Sequence, residues 1–234
     1  MEKILEEGLL WLCKNDPEID GIVRPRFSEI AALLEAYITE IQKYNPSLSL
    51  VGTNDKDALI IRHILDSLSP LGVIFRRLQR LKDEMHENYF SLGDAGSGAG
   101  FPGIPLAISL PQVKFILIER KNRRSSFLKN VKTSLNLGNI EIMEQEIEKI
   151  KSSFFSALVF RAFHPLEPKL IKKLFRLCCG KGFLAAYKGR KSKIKEEIEL
   201  MESKIPGFSN RCELFPCPVP ALNEERHLLV INKG

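Results

Sequence analysis

A glycine-rich turn between two apolar segments constrains this fold more than any other stretch of the chain. Residues 90–105 read Phe-Ser-Leu-Gly-Asp-Ala-Gly-Ser-Gly-Ala-Gly-Phe-Pro-Gly-Ile-Pro, and apolar residues continue to Leu110. This order is typical of a strand, a tight turn and a helix. Glycines let the backbone bend sharply and approach a ligand, and a helix N-terminus offers free N–H groups and positive dipole charge. The stretch predicts a cradle for the carboxylate or phosphate end of a nucleotide-like cofactor.

The glycines alone do not identify the cofactor. The pattern that starts at Gly96 is G-x-G-x-x-Phe101, whereas the pattern that starts at Gly98 is G-x-G-x-x-Gly103, which also satisfies the dinucleotide fingerprint. Glu119, at the tip of the next predicted strand, suits recognition of ribose hydroxyls under either interpretation. The motif is therefore compatible with two classes of cofactor.

Two features favour S-adenosylmethionine. Asp94 comes just before the first glycine, and the strand-helix units that follow leave no room for a separate hydride-acceptor domain. A nicotinamide-dependent oxidoreductase stays open as an alternative, although it would need a substrate domain with its own acid-base residue. A second alternative is an RNA-binding factor that keeps the cofactor fold without activity.

Composition sets broad limits on the class of protein. A chain of 234 residues with 44% apolar content can bury one core with an appended helical lobe. The formal charge of +6 weakly favours a polyanionic partner. Five cysteines, an odd number without zinc spacing, predict reduced thiols and no metal site. The acidic N-terminus, and the expectation that no apolar run approaches the roughly 20 residues of a membrane span, predict a cytoplasmic protein without a membrane partner.

The order of elements predicts an α/β fold. Residues 1–88 show helical periodicity and form a predicted helical lobe, in which Asn45-Pro46 is expected to end one helix. The second predicted domain, residues 89–234, alternates strands with helices, which indicates a mostly parallel, Rossmann-like sheet. The last two apolar segments are too close for a crossover helix, so they predict an antiparallel terminal strand in a seven-strand sheet. The seven predicted strands are 89–94, 113–119, 140–144, 157–161, 182–187, 212–216 and 227–232.

Chemistry-bearing residues follow several of these strands. In an open parallel sheet the ligand lies beyond the carboxyl ends of the strands, next to the first strand. We therefore expect one pocket to be ringed by Asp94, Glu119, the segment after Glu144, Arg161 and Lys188.

Five segments together resemble a known family. They are Arg62-His63-Ile64-Leu65-Asp66-Ser67-Leu68, the run from Gly96 through Gly-Phe-Pro-Gly-Ile-Pro to Leu106, Arg161-Ala162-Phe163, Tyr187-Lys188-Gly189 and Glu225-Arg226-His227-Leu228. With them the chain resembles the glucose-inhibited division protein B family, guanine-N7 methyltransferases of small-subunit ribosomal RNA. The resemblance implies a class I S-adenosylmethionine-dependent methyltransferase fold. It also implies methylation of a guanine N7 in 16S ribosomal RNA, at position 527 in the 530 loop, with the RNA or the small ribosomal subunit as partner of a monomeric enzyme.

The resemblance also implies which residues hold the cofactor. They are Gly96, Phe101, Ile147 with Glu148, and Arg161, and our own reading of the turn adds Asp94, Gly98 and Glu119. No catalytic residue is assigned, because guanine N7 carries no proton and needs no general base.

Other residues are expected to contact RNA. His63 and Asp66 are expected to line the pocket from the helical lobe. The basic runs at 120–124 and 188–193 follow strand ends, so Arg123, Arg124, Lys188 and Arg190 are expected to follow the phosphate backbone. Phe163 or Tyr187 would stack on the target base.

Overall fold

The computed structural model describes residues 2–85, 91–151, 155–161 and 166–233. The predicted domain boundary at 88/89 and the expected stacking residue Phe163 lie outside these ranges. The described residues form a seven-strand sheet with helices on both faces, as the sequence predicts.

The N-terminal part of the chain is helical. Its helices are α1 (Lys3–Asn15), α2 (Pro17–Val23), α3 (Phe27–Leu48), α4 (Lys56–Leu59), α5 (Asp66–Leu68) and α6 (Leu71–Met85), with a 3₁₀ turn at Arg24–Arg26. The expectation that Pro46 ends α3 is wrong, since the helix continues to Leu48 and ends at Ser49, which has a φ of 49°. Proline removes the N–H that would have bonded the carbonyl of Gln42. The Asn54 side chain donates to that carbonyl instead, at 3.3 Å, so the last turn survives.

A π-helix interrupts the helical lobe that the sequence predicts. Residues Ile60–Leu65 form this π-helix between α4 and α5. A π-helix contains an extra residue per turn and is frequent at functional sites. Here it carries Arg62 and His63, and it ends directly before Asp66.

The sheet has the strand order β3-β2-β1-β4-β5-β7-β6. Its strands are β1 (Ser91–Ala95), β2 (Lys114–Ile118), β3 (Ile140–Met143), β4 (Phe155–Arg161), β5 (Cys178–Lys188), β6 (Cys212–Pro216) and β7 (His227–Asn232). Strand β7 inserts antiparallel between β5 and β6, and the pairs among β1 to β5 are parallel. From β1 the chain adds β2 and β3 on one side of the sheet, and it then returns to add β4 and β5 on the other side. This reversal of strand order between β1 and β4 is the switch point where such sheets bind ligands. The remaining helices are α7 (Gly103–Ser109), α8 (Asn122–Ser134), α9 (Pro168–Leu177) and α10 (Lys191–Lys204), with 3₁₀ turns at Ile147–Lys149 and Ser209–Arg211.

Each face of the sheet has its own apolar core. Successive side chains of a strand point to opposite faces, and β2 shows this directly. Phe115 and Leu117 join the core that contains the N-terminal helices, α7 and α8, whereas Ile116 and Ile118 join the core under α9 and α10. The N-terminal helices thus cover one face of the sheet and share its core.

One continuous helical stretch, Lys56–Glu84, is long and apolar enough to cross a membrane by length and composition, because it contains an 18-residue apolar window with a mean hydropathy of 1.5. The expectation that no apolar run reaches this length is therefore wrong. Within the protein 61% of that apolar window is buried. Its residues Leu59, Ile64, Leu68 and Ile74 are fully buried in the core that the N-terminal helices share with the sheet, which accounts for the apolar character.

Candidate active site at the carboxyl ends of the strands

The glycine-rich turn forms an open cradle between β1 and α7. Gly96, Gly98 and Gly100 have φ angles of 74°, 58° and 100°, in the left-handed region that favours glycine. A Cβ added to Gly98 would meet no atom closer than 3.8 Å, whereas one on Gly100 would lie 2.9 Å from the Tyr37 hydroxyl oxygen. The turn is therefore closed against the lobe at Gly100 and open above Gly98.

Asp94 supplies a buried carboxylate beneath this turn. Its Oδ2 accepts from the Gly103 N–H at 3.0 Å, while Oδ1 is a buried side-chain oxygen that lacks a hydrogen-bond partner within the described ranges. Burial raises the pKa of Asp94 to about 7, against the opposing effect of the Gly103 N–H. An unpartnered buried oxygen is costly unless a ligand supplies a donor. The open turn and this oxygen together fit a cofactor that carries an amino group and positive charge.

Glu119 lies at the predicted strand end but already has backbone partners. Its Oε2 accepts from the Gly98 N–H at 3.0 Å and its Oε1 accepts from the Lys121 N–H at 2.8 Å. Each carboxylate oxygen can accept a second hydrogen bond. Glu119 thus fixes the turn, and it keeps acceptor capacity for a ribose hydroxyl.

Phe101 lies between the turn and the helical lobe. Its ring stacks on the His63 imidazole with centroids 4.9 Å apart, and the Arg161 guanidinium lies 5.1 Å from its centroid. The Tyr37 ring is tilted against it at 5.3 Å, and the Tyr37 hydroxyl donates to the Ala99 carbonyl at 2.6 Å. Helix α3 therefore holds the turn in place through Tyr37.

A buried cluster of charges connects the lobe, β4 and the start of β7. Asp66 is only 5% exposed, and its two oxygens accept from Arg161 Nη1 at 2.9 Å and Arg226 Nε at 3.1 Å. Arg226 also pairs with Glu224 at 2.9 Å, and Arg62 pairs with the other oxygen of Glu224 at 3.0 Å. Asp66 is therefore the centre of an ion-pair cluster, and each of its two oxygens accepts a hydrogen bond from an arginine.

His63 is held in one tautomer by Arg161. Its Nδ1 lies 2.8 Å from Arg161 Nη2, and a guanidinium can only donate, so Nδ1 accepts and the proton is assigned to Nε2. Burial, followed by the positive charges of Arg161 and Arg62, lowers the pKa of His63 to about 4. The imidazole is neutral at physiological pH.

A cavity of about 760 Å³ opens beside this cluster, beyond the ends of β4 and β5. Its volume lies within the range of ligand-binding clefts. His63, Asp66, Arg161 and Lys188 line this cavity, whereas Asp94 and Glu119, which the sequence analysis expected in the same ring, are not among its lining residues. Tyr187 also lines the cavity, although its hydroxyl is buried and donates to the Ser67 carbonyl at 2.8 Å.

Other predicted site residues lie along the same edge but outside the lining of this cavity. Ile147 is buried in the core under α9 and α10, and Glu148 is exposed and pairs with Lys173 at 3.0 Å. Glu148 is thus not the ion-pair partner of Arg161, which pairs with Asp66. Arg123 and Arg190 are exposed, and Arg124 Nη1 lies 3.8 Å from where a Cβ on Gly98 would be.

Sequence reasoning missed three residues of the site. Tyr37 belongs to an apolar stripe of α3, so the sequence around it does not indicate that its hydroxyl donates to the Ala99 carbonyl of the glycine-rich turn. Arg226 lies in one of the resembling segments, but nothing local connects it to Asp66, 160 residues away. Glu197 has the appearance of a solvated residue of α10, yet it lines the cavity and pairs with Lys188 at 2.5 Å.

Within the described ranges, no group of three or more histidine, cysteine, aspartate or glutamate side chains could hold a metal ion. All five cysteines are free.

Comparisons with known proteins point to one family. The family model GidB, described as rRNA small subunit methyltransferase G, matches residues 30–228. The ribosomal RNA small subunit methyltransferase G of Treponema denticola is 38% identical, over 99% of this chain and 98% of that protein. The protein of the same name from Treponema pallidum subsp. pallidum is 33% identical, over 87% of this chain and 85% of its own length. The crystal structure of M. jannaschii TYW2 in complex with AdoMet covers 68% of this chain and 74% of its own, with a TM-score of 0.46 and 16% identity.

Proposed function

The chain belongs to the GidB family of rRNA small subunit methyltransferases G, and on that premise we propose that it methylates N7 of a guanine in the 530 loop of 16S ribosomal RNA. Membership implies S-adenosylmethionine as methyl donor and small-subunit ribosomal RNA as acceptor. The guanine N7 atom and the loop are the finer part of the proposal.

One observation supports N7 in particular, and it concerns the two titratable side chains that accept hydrogen bonds from Arg161. His63 Nδ1 accepts from Arg161, and both oxygens of Asp66 accept from arginines. Neither group is free to remove a proton from an acceptor. Guanine N7 is an unprotonated ring nitrogen, so it is an acceptor that needs no base.

The chain's own residues then act by placement and charge. Bound S-adenosylmethionine supplies a methyl group on a positively charged sulfur. Asp94, Gly96, Gly98, Phe101 and Arg161 are the residues that we propose to hold it, with Glu119, Ile147 and Glu148 on the neighbouring strand ends. Correct placement of two reactants can itself supply several kcal/mol of barrier reduction.

A carboxylate lies beside Arg161, and its negative charge suits this acceptor. The purine gains positive charge as it takes the methyl group, so an uncompensated cation nearby would oppose the reaction. Asp66 lies 2.9 Å from Arg161 and 3.1 Å from Arg226, so it offsets part of the positive charge of Arg161. We infer that Asp66 allows Arg161 to contact the cofactor without raising the barrier to methyl transfer onto the purine.

The direct test is methyl transfer to small ribosomal subunits from cells that lack this enzyme, followed by nucleoside analysis of the 16S RNA. We expect one 7-methylguanosine to appear, and we expect Gly98→Leu to abolish it because the side chain would fill the open turn. Gly207→Leu is the matched control, since Gly207 likewise has a positive φ, of 80°, and no atom lies within 4 Å of a Cβ added there. Binding of the particles without any methyl transfer would favour the alternative of an RNA-binding factor, and methylation at another atom would contradict the N7 assignment.

The basic residues at the strand ends give a second prediction. Arg120, Lys121 and Arg123 are exposed, and no ion pair involves them among the residues that the structure describes. If they contact phosphates, RNA affinity should fall steeply with salt, and Arg123→Gln should reduce the slope of log affinity against log salt by about 0.7 to 1.

The control for this measurement is Arg24→Gln. Arg24 carries the same charge but pairs with Asp20 at 2.8 Å, in a 3₁₀ turn whose Arg26 reaches the carbonyl of Ile108 near the end of α7. The Arg24→Gln variant should leave the slope of log affinity against log salt unchanged. Equal slopes for wild type and Arg123→Gln, measured by filter binding between low and physiological salt, would exclude a phosphate contact at Arg123.

A further inference from the structure

The cavity beside the charge cluster contains a carboxylate that the proposed chemistry does not use. Glu197, on the second turn of α10, lines the cavity opposite the helical lobe, and its Oε2 accepts from Lys188 Nζ at 2.5 Å. The two side chains are only 28% and 15% exposed. No hydrogen bond from a described residue involves the second oxygen, Oε1, and this oxygen is not among the buried atoms that lack a partner. Glu197 thus presents a fixed negative group to the space where the base would enter.

RNA phosphates repel a carboxylate, so a carboxylate in this cavity favours RNA binding only if the bound base donates hydrogen bonds to it. An ionised carboxylate only accepts hydrogen bonds, so it favours a base that offers donors. Guanine offers two adjacent donors, N1–H and the N2 amino group, on its Watson–Crick edge. Adenine and cytosine each present an unprotonated ring nitrogen at the matching position, which a carboxylate would repel.

The order of the strands sets the orientation of the base. The turn that carries Phe101 follows β1, Arg161 ends β4, and Lys188 ends β5, next in the sheet. Neighbouring strands lie about 4.8 Å apart, so β1 and β5 are separated by about 10 Å. N7 and the N1–N2 edge lie on opposite sides of guanine. A base with N7 toward the end of β1 therefore turns its two donors toward the end of β5, where Lys188 holds Glu197.

We propose that Glu197 is a specificity-determining residue that accepts hydrogen bonds from N1–H and the N2 amino group of the target guanine. Lys188 holds the carboxylate in position through the ion pair at 2.5 Å. This inference rests on the proposed function, and it adds a contact on the far edge of the same base.

The experiment compares guanosine with inosine at the nucleotide that the wild-type enzyme methylates, in 16S RNA assembled by ligation and reconstituted into small subunits. Inosine keeps N7, O6 and N1–H but lacks the N2 amino group. For the wild-type enzyme we expect kcat/KM to be about tenfold or more lower on the inosine particle, within the discrimination of a bidentate contact. For Glu197→Gln we expect lower activity on guanosine and a ratio reduced to within about threefold.

The neighbouring residue supplies the matched control. Glu196 pairs with Lys193 at 2.7 Å on the same helix, but both side chains are more than half exposed and neither lines the cavity. Glu196→Gln should keep the wild-type rate and ratio. The affinity for S-adenosylmethionine and the melting temperature of each variant show whether it is folded, and a merely structural role for Glu197 would lower the melting temperature without changing the ratio.

Two results would overturn the inference while the proposed function stands. One is a ratio near one between the kcat/KM values of the wild-type enzyme on the guanosine and the inosine particle. The other is a Glu197→Gln ratio equal to that of the wild type. Failure of the wild-type enzyme to methylate the guanosine particle is a different result, which overturns the proposed function and this inference with it.

Discussion

Replacing Arg161 with glutamine is expected to lower the free energy of unfolding by about 3 kcal/mol, which corresponds to a fall in melting temperature of about 6 to 12 °C for a chain of this length. Arg161 is 17% exposed and its partner Asp66 is 7% exposed at the side chain. Loss of the guanidinium leaves one oxygen of a buried carboxylate without its charged partner, and such a loss costs more than the pair itself contributes. It also removes the donor to His63 Nδ1 and the cation beside the Phe101 ring.

The matched comparison is Arg226→Gln. Arg226 contacts the other oxygen of Asp66 and has a similar exposure of 22%, but no contact joins it to Phe101 or His63 in the described part of the chain. Both variants should therefore lose stability, whereas only Arg161→Gln should also weaken S-adenosylmethionine binding. Thermal unfolding and calorimetric titration separate the two effects.

The Arg161 variant has a spectroscopic consequence as well. The positive charge of Arg161 is one cause of the low pKa of His63, after burial. Its removal should raise the pKa of His63, which a proton or nitrogen NMR titration can follow. An unchanged melting temperature together with an unchanged titration would contradict the buried cluster. A double-mutant cycle with Asp66→Asn would give the coupling energy directly.

The sequence predicted the sheet well because its signals are local. Each strand is a short apolar run bounded by turn residues, and the predicted and observed strands overlap in every case, with β6 and β7 identical at both ends. The glycine turn and the gathering of Asp94, Glu119, Arg161 and Lys188 at one edge follow from strand direction alone. In a parallel sheet the carboxyl ends meet at one side whatever the details of packing.

The partners of the site residues could not be predicted in the same way. The Asp66–Arg161 and Asp66–Arg226 contacts span 95 and 160 residues, and no periodicity records which charge meets which. Glu197 shows the same limit. Its neighbours in sequence are charged and exposed, so only the direction of α10 relative to β5 distinguishes it from Glu196.

Local rules also failed where a distant group satisfied the backbone. Proline normally ends a helix because it leaves a carbonyl without a donor. At Pro46 the side chain of Asn54 supplies that donor to Gln42, so α3 continues. The π-helix at Ile60–Leu65 is a similar case, since the apolar pattern around it is compatible with an ordinary helix. It carries His63 on a part of the lobe that contacts the cofactor turn.

Asp94 gives the second large prediction, which concerns pH. Burial raises its pKa to about 7 in the protein without cofactor, whereas an unfolded chain has a value near the usual 3.8. The folded state therefore holds a proton that the unfolded state has lost between these values. This contribution to stability is complete below about pH 4 and is lost as the pH rises through 7, at up to about 1.4 kcal/mol per pH unit.

Cofactor binding should reverse this dependence. S-adenosylmethionine carries a sulfonium and an ammonium group, so it favours the ionised carboxylate and its unpartnered Oδ1. If the bound state keeps Asp94 ionised, affinity should be about tenfold higher at pH 8 than at pH 6, with a proton released near pH 6. Calorimetric titration in two buffers of different ionisation enthalpy measures both quantities.

Asp94→Asn should remove the pH dependence and weaken binding at pH 8, because asparagine keeps the shape of the side chain without its charge. Glu29→Gln is the control, since Arg26 already lowers the pKa of Glu29 and the carboxylate stays ionised from pH 6 to 8. Its affinity curve should match that of the wild type. Two results would contradict this role of Asp94: a wild-type affinity that does not change with pH, or an affinity of Asp94→Asn that changes with pH as steeply as that of the wild type. Either result would mean that another group of the site balances the positive charge of the cofactor.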